Sequence, residues 1–140
     1  MNRILIDTMH LGKLIQDDNY LELAGSISDG DLEAICSVIS LLELTKRLGM
    51  RDEDRMRKIR QDLLSSRLVF VNVNRTIAIQ AGELRLKYDI PTADSLIAAT
   101  GIAGNALNIL TDDTRHFGPI KNLIKIKTLK QVMDMAKHGR

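Results

Sequence analysis

Four acidic residues occupy places where carboxylates do chemistry. Asp7 ends the apolar run Ile4-Leu5-Ile6, Glu43 stands three residues after Ser40, Asp94 follows Pro91-Thr92-Ala93, and Asp113 closes the stretch Ile109-Leu110-Thr111-Asp112. Two carboxylates about 4 Å apart repel by roughly 4 kcal/mol at an effective dielectric near 20. Three or four brought together must therefore bind protons or hold cations. The chain has one cysteine, Cys36, and three scattered histidines, His10, His116 and His138, which offers no zinc cage. Oxygen ligands alone select a hard ion, Mg2+ or Mn2+, commonly completed by phosphate oxygens. The reaction class that follows is metal-assisted hydrolysis of a phosphodiester.

Taken singly, each acid also has an ordinary structural reading. Asp7 can be an N-cap, and Glu43 with Ser40 a capping box. Asp94 can be a charge favoured at a helix N-terminus by about 0.3–1 kcal/mol, and Asp113 the residue that closes an Asx turn. Joint placement is more informative than any one position, and it depends on the elements that carry the four.

Those elements are short apolar runs alternating with amphipathic ones. Strands are expected at residues 3–6, 34–38, 68–71, 107–110 and 123–126. The spacing predicts helices over 9–24, from Ser40 to about Leu48, and over about 52–65, with Gly25 and residues 26–31 breaking the first. Ile77, Ala81, Leu84 and Tyr88 mark a helix that stops before Pro91. Thr92 caps the next, to about Ala103, and Thr128 caps a last helix carrying Leu129, Val132, Met133 and Ala136. Such alternation implies an α/β fold, a mostly parallel sheet of about five short strands covered on both sides. In sheets of this kind ligands bind beyond the carboxyl ends of the strands. Asp7, Glu43 and Asp113 fall there, with Asp94 in a helical first turn.

The 140 residues suit one domain, spanning 1–140. With 44% hydrophobic and 27% charged residues, collagen-like, coiled-coil and wholly disordered chains are excluded. No apolar run nears the ~20 residues that span a bilayer. Asp7 interrupts the stretch a signal peptide would continue. A cytoplasmic protein without a membrane partner is expected. Aromatic residues are few (Tyr20, Tyr88, Phe70, Phe117, no tryptophan), which argues against a platform that stacks bases. The net charge of +2 is unevenly spread: residues 1–34 carry −5, residues 46–67 +4 and residues 115–140 +6. Two basic segments and an acidic one can together surround a polyanion with cations and leave room for bound metal. They can equally be solvated faces with pairs such as Asp54–Lys58.

Four blocks of the sequence together resemble the PIN domain, most closely the small VapC-type toxin ribonucleases of toxin–antitoxin pairs. They are Ile4-Leu5-Ile6-Asp7-Thr8, Ser37-Val38-Ile39-Ser40-Leu41-Leu42-Glu43-Leu44, Tyr88-Asp89-Ile90-Pro91-Thr92-Ala93-Asp94-Ser95-Leu96-Ile97-Ala98-Ala99-Thr100, and Ile109-Leu110-Thr111-Asp112-Asp113 followed by Phe117. The resemblance runs from about residue 3 to 130 and implies a three-layer α/β/α PIN-like fold. It implies that Asp7, Glu43, Asp94 and Asp113 bind Mg2+ or Mn2+ and cut RNA as an endoribonuclease. Thr111 matches a threonine that hydrogen-bonds within the acidic cluster, while Asp112 takes a variable position from which it can act through water. At position 9 the family often has Asn or Ser, where this chain has Met9; Thr8 or His10 can stand in as the polar neighbour.

Phosphate positioning falls to Lys46, Arg47 and Arg115, with ordinary solvated surface as the alternative. His116, beside Phe117, reads more readily as a surface or packing residue than as a general acid. The resemblance further implies a homodimer and an antitoxin that inserts a basic residue into the acidic site. Leu41, Leu42, Leu44, Met56 and Leu63 can supply an apolar dimer surface or simply face the core. Other readings are a PIN endonuclease of RNA maturation, with the same site and no antitoxin, and a weak or inactive PIN-fold binding module. An aspartate-nucleophile phosphatase needs a second aspartate where Met9 stands, and a phosphotransfer receiver needs an acidic pair that Asp7-Thr8 does not supply.

Overall fold

The structure is a computed structural model that describes residues 2–138. Five short strands carry the apolar runs: β1 (Asn2–Ile6), β2 (Leu32–Ser37), β3 (Val69–Val71), β4 (Asn108–Leu110) and β5 (Lys125–Lys127). All neighbours pair in parallel, in the order β3-β2-β1-β4-β5. Successive side chains of a strand face opposite sides, and β1 shows the consequence. Ile4 and Ile6 enter one core and Leu5 the other.

The first core is covered by α1 (Thr8–Gln16), α2 (Leu21–Ser28), α4 (Glu53–Leu64) and α8 (Leu129–His138), which contribute Leu11, Leu23, Ile59 and Val132. The second is covered by α5 (Arg75–Lys87) and α6 (Thr92–Ala103), through Ile77, Ala81, Ile97 and Ala98. This is the three-layer α/β/α architecture. Two further helices, α3 (Val38–Gly49) and the single turn α7 (Thr114–Phe117), stand at the carboxyl ends of β2 and β4. No helix among the described residues is long and apolar enough to cross a membrane.

Sheet order fixes where a ligand can enter. From β1 the chain passes outward to β2 and β3, then returns to the other side of β1 for β4 and β5. The order therefore reverses between β1 and β4, and the crevice beyond their carboxyl ends is the usual binding position. Ile6 is registered with Leu110, and the Asp7 amide donates to the Leu110 carbonyl at 3.1 Å. Asp7 and the segment Thr111–Asp113 consequently leave the sheet side by side.

Several boundaries differ from the sequence expectation, each for a local reason. The single helix expected over 9–24 is two, because the Asp17 amide bonds back to Lys13 while its carboxylate accepts from the Asn19 amide and starts a new turn at 18–20. Strand β2 begins at Leu32, and α3 begins at Val38, where Ser37 Oγ accepts from the Ile39 amide. Ser40 is thus inside the helix, and the Ser40–Glu43 capping box does not form. Pro91 precedes the first turn of α6 without a side-chain cap, so Thr92 is not the cap. At α8 the expected Thr128 cap forms, with Gln131 reciprocating: Gln131 N–H to Thr128 Oγ1 at 3.2 Å, Thr128 N–H to Gln131 Oε1 at 2.9 Å. Lys58 pairs with Asp62 rather than Asp54, which goes to Arg57.

Helix α6 lies unusually close to the sheet. A Cβ on Gly101 would stand 2.9 Å from both Leu5 Cδ2 and the Ala106 carbonyl oxygen. That close approach, with Ala98 and Ala99 fully buried beside it, sets the height at which Asp94 meets the strand ends.

Candidate functional site

Each of the four acids is delivered by a different element. Asp7 follows β1 as N-cap of α1, its Oδ1 accepting from the Thr8 amide at 2.8 Å. Its other oxygen, Oδ2, accepts from Thr111 Oγ1 at 2.6 Å. Asp113 follows β4, caps α7 by accepting from the His116 amide at 3.1 Å, and has its own amide bonded to Thr111 Oγ1 at 3.0 Å. Thr111 therefore ties the acids of two neighbouring strands. Glu43 comes from α3, where Thr8 Oγ1 donates to Oε1 at 2.7 Å. Ser40 Oγ lies 2.9 Å from the same threonine, extending the chain of hydroxyls. Asp94, in the first turn of α6, is 15% exposed at its side chain and descends from the opposite wall.

The N-cap readings and the cluster reading thus hold together: capping uses one oxygen of Asp7 and one of Asp113, and the others turn inward. Their electrostatic convergence is visible at Asp94, whose carboxyl is pushed up from 3.8 to about 6. Burial is the largest cause, and the negative charges of Asp7, Asp113 and Glu43 add to it, against the opposing pull of His116. Three like charges converging on a fourth are arranged as a cation-binding group would be.

His116 is the residue that sequence reasoning undervalued. Its Nδ1 lies 2.7 Å from Asp113 Oδ2 and 3.1 Å from Asp94 Oδ2. The ligand atoms of Asp94, Asp113 and His116 all fall within 4.8 Å of one another. The available signal was the spacing of three from Asp113, which places both on one face of a helical turn. Adjacent Phe117 is the packing residue, fully buried in the second core.

Asp112 and His10 are placed apart from this cluster. Asp112 Oδ2 faces His10 Nε2 at 3.4 Å, and His10 Nδ1 meets the Tyr20 hydroxyl at 2.7 Å. Met9 is half-exposed and lines a small groove with Lys13, Arg47 and Leu48. The hydroxyl neighbour of the acids is Thr8, not His10. Lys46 and Arg47 flank a groove of about 580 Å3 beside Glu43, together with Ile39, Leu42, Met50 and Leu96. Arg115 is exposed on α7, one residue from His116. Of the five apolar residues weighed as a dimer surface, Leu44, Met56 and Leu63 are buried, and Leu42 is 64% exposed.

Solved structures with this fold include VapBC2 from Rickettsia felis bound to a DNA fragment from their promoter, 24% identical over 90% of this chain and 98% of that one, with a TM-score of 0.73. DNA-bound VapBC from Salmonella typhimurium is 20% identical over 91% and 98%, with a TM-score of 0.74. VapBC-1 from nontypeable Haemophilus influenzae is 20% identical over 90% and 97%, with a TM-score of 0.68. Likeness at these identities is one of fold. No curated protein sequence matches the chain significantly. The family model of the PIN domain matches residues 4–121, from the middle of β1 to just past α7. With most of its length matched, and the matched span holding all four acids, the chain belongs to the PIN domain family.

Proposed function

We propose that the chain is a divalent-metal-dependent endoribonuclease and the toxin of a VapBC-type toxin–antitoxin pair. The reading is carried by one observation, the linking of Asp7, Glu43, Asp94 and Asp113 into one cluster through Thr8, Thr111 and His116. The donor set, carboxylate oxygens buttressed by hydroxyls, fits Mg2+ or Mn2+. Asp7, Glu43, Asp94 and Asp113 are the residues that would hold the ion. Bound there, it would lower the pKa of water and offset charge building on the phosphoryl oxygens.

The rest of the work falls to the chain itself. The hydroxyls of Thr111 and Thr8 each occupy one carboxylate lone pair, which fixes the direction of the remaining oxygens of Asp7 and Glu43. Lys46, Arg47 and Arg115 hold phosphates flanking the scissile one, and the groove beside Glu43 receives the strand. Because water is the nucleophile, the RNA 2′-hydroxyl takes no part. Three structures with this fold are VapBC assemblies, and an acidic pocket suits a basic side chain offered by an antitoxin.

The test is incubation of a mixed RNA pool with Mn2+ or EDTA, comparing the wild type with Asp7→Asn and Asp94→Asn. Cutting is expected to need the metal and to vanish in both variants. Cleavage that persists in EDTA and survives both substitutions overturns the mechanism. A wild type that binds metal and RNA but never cuts is a binding module instead.

A further inference from the structure

We propose that His116 Nδ1 is a ligand of the divalent ion alongside Asp94 and Asp113, so that the centre prefers Mn2+ to Mg2+. The inference rests on the metal-binding part of the function proposed above and deepens it by adding a nitrogen ligand. The geometry is local and well tied. The His116 amide bonds to Asp113 Oδ1 at 3.1 Å, and the Phe117 amide bonds to the Asp113 carbonyl at 3.2 Å. With Phe117 anchored in the core, the turn holds the imidazole against the two carboxylates. Nδ1 stands 2.7 Å from Asp113 Oδ2 and 3.1 Å from Asp94 Oδ2. Both neighbours are acceptors, so this nitrogen carries a hydrogen in the metal-free protein. A divalent ion bound there leaves the imidazole neutral with its proton on Nε2, and meets the Nδ1 lone pair and two carboxylate oxygens at once.

The choice of ion follows from donor type. Mg2+ is a small hard cation that takes oxygen and keeps its waters. Mn2+ shares the taste of Mg2+ for carboxylate, but as a transition ion it accepts an imidazole nitrogen more readily than Mg2+, which holds to oxygen and water. One nitrogen among oxygens therefore tilts the balance toward Mn2+ without excluding Mg2+.

The experiment uses the full chain without RNA. Mn2+ is titrated by its electron paramagnetic resonance signal, Mg2+ by calorimetry, and the bound Mn2+ is probed for nitrogen hyperfine coupling with 15N-histidine protein. Coupling from one directly bound imidazole is expected in the wild type and in His10→Phe, and its loss in His116→Ala. His116→Ala should weaken Mn2+ by at least about 10-fold, the low end of the effect of altering a metal's partners, while changing Mg2+ much less. Absence of nitrogen coupling in the wild type overturns the proposal without need of a variant, as does failure to bind Mn2+. Coupling that survives His116→Ala, or equal losses for the two ions, also overturns it. Nitrogen-coupled Mn2+ on a protein that never cuts RNA would fail the nuclease reading alone. Metal-dependent cutting without nitrogen coupling would fail this inference alone.

Discussion

Two imidazoles meet carboxylates at the same end of the sheet, and they do different things. His10 is 2% exposed, with Tyr20 clamping one nitrogen and a single, largely exposed Asp112 facing the other. Since Nε2 points at a carboxylate, it carries the proton, and Nδ1 accepts from the tyrosine hydroxyl. Burial holds the His10 pKa below its ordinary 6.5, against the pull of Asp112. His116 is 35% exposed at its side chain and stands between two acids that are themselves part of a larger group. A histidine enclosed by the core, with a tyrosine on one nitrogen and one exposed carboxylate 3.4 Å from the other, is held by its packing. One at an open rim with an excess of negative charge is placed to trade its proton for a metal.

The largest expected effect separates the two sites. Asp94→Asn should lower RNA cleavage by more than about 100-fold, because loss of even an outer partner of a metal site costs 10–100-fold. His10→Phe should leave cleavage per folded molecule within about threefold of the wild type; an equal loss in both would erase the distinction drawn here. Next in size, Thr111→Val removes the hydroxyl shared by Asp7 and Asp113 and should weaken Mn2+ binding by about 10- to 100-fold. Unchanged affinity would mean the strand ends alone hold the acids in place.

Smaller effects appear in stability. His10→Phe leaves the buried Tyr20 hydroxyl without its partner, at a cost of about 1–3 kcal/mol in urea unfolding. Gly101→Ala should cost a similar amount, about 1–3 kcal/mol, by forcing α6 off Leu5 and the Ala106 carbonyl.

The two sites also bend stability against pH in opposite senses. Asp94 has its folded pKa raised to about 6 from 3.8, so in chelator the folded state binds the extra proton. Its contribution is favourable in acid and is lost as pH climbs from 3.8 through about 6. His10, with its folded pKa lowered, contributes stability above 6.5 that is lost as pH falls below that value. In EDTA at pH 7.5, Asp94→Asn should therefore stabilise the protein by about 1–3 kcal/mol, and His10→Phe should flatten the decline between neutral pH and 5. Thermal unfolding across that range reads both slopes, and like signs for the two would contradict the placement of charge described here.

By itself the sequence determined the architecture and singled out four acids as candidates. Continuous apolar strands such as Ile4-Leu5-Ile6, buried on both faces, and helical stripes such as Ile77-Ala81-Leu84 fit a layered α/β fold, and that fold puts strand ends where Asp7 and Asp113 stand. It did not determine which caps form, because Ser37 and Ser40 are equally good cap residues and the length of β2 chooses between them. Nor could it rank the histidines, since His10 and His116 are chemically identical and differ only in what surrounds them. Tertiary structure decided that, by enclosing one against Tyr20 and leaving the other open between Asp94 and Asp113. The difference is physical: burial and the number of facing charges are properties of a site assembled from distant segments, and no single segment of the chain contains them.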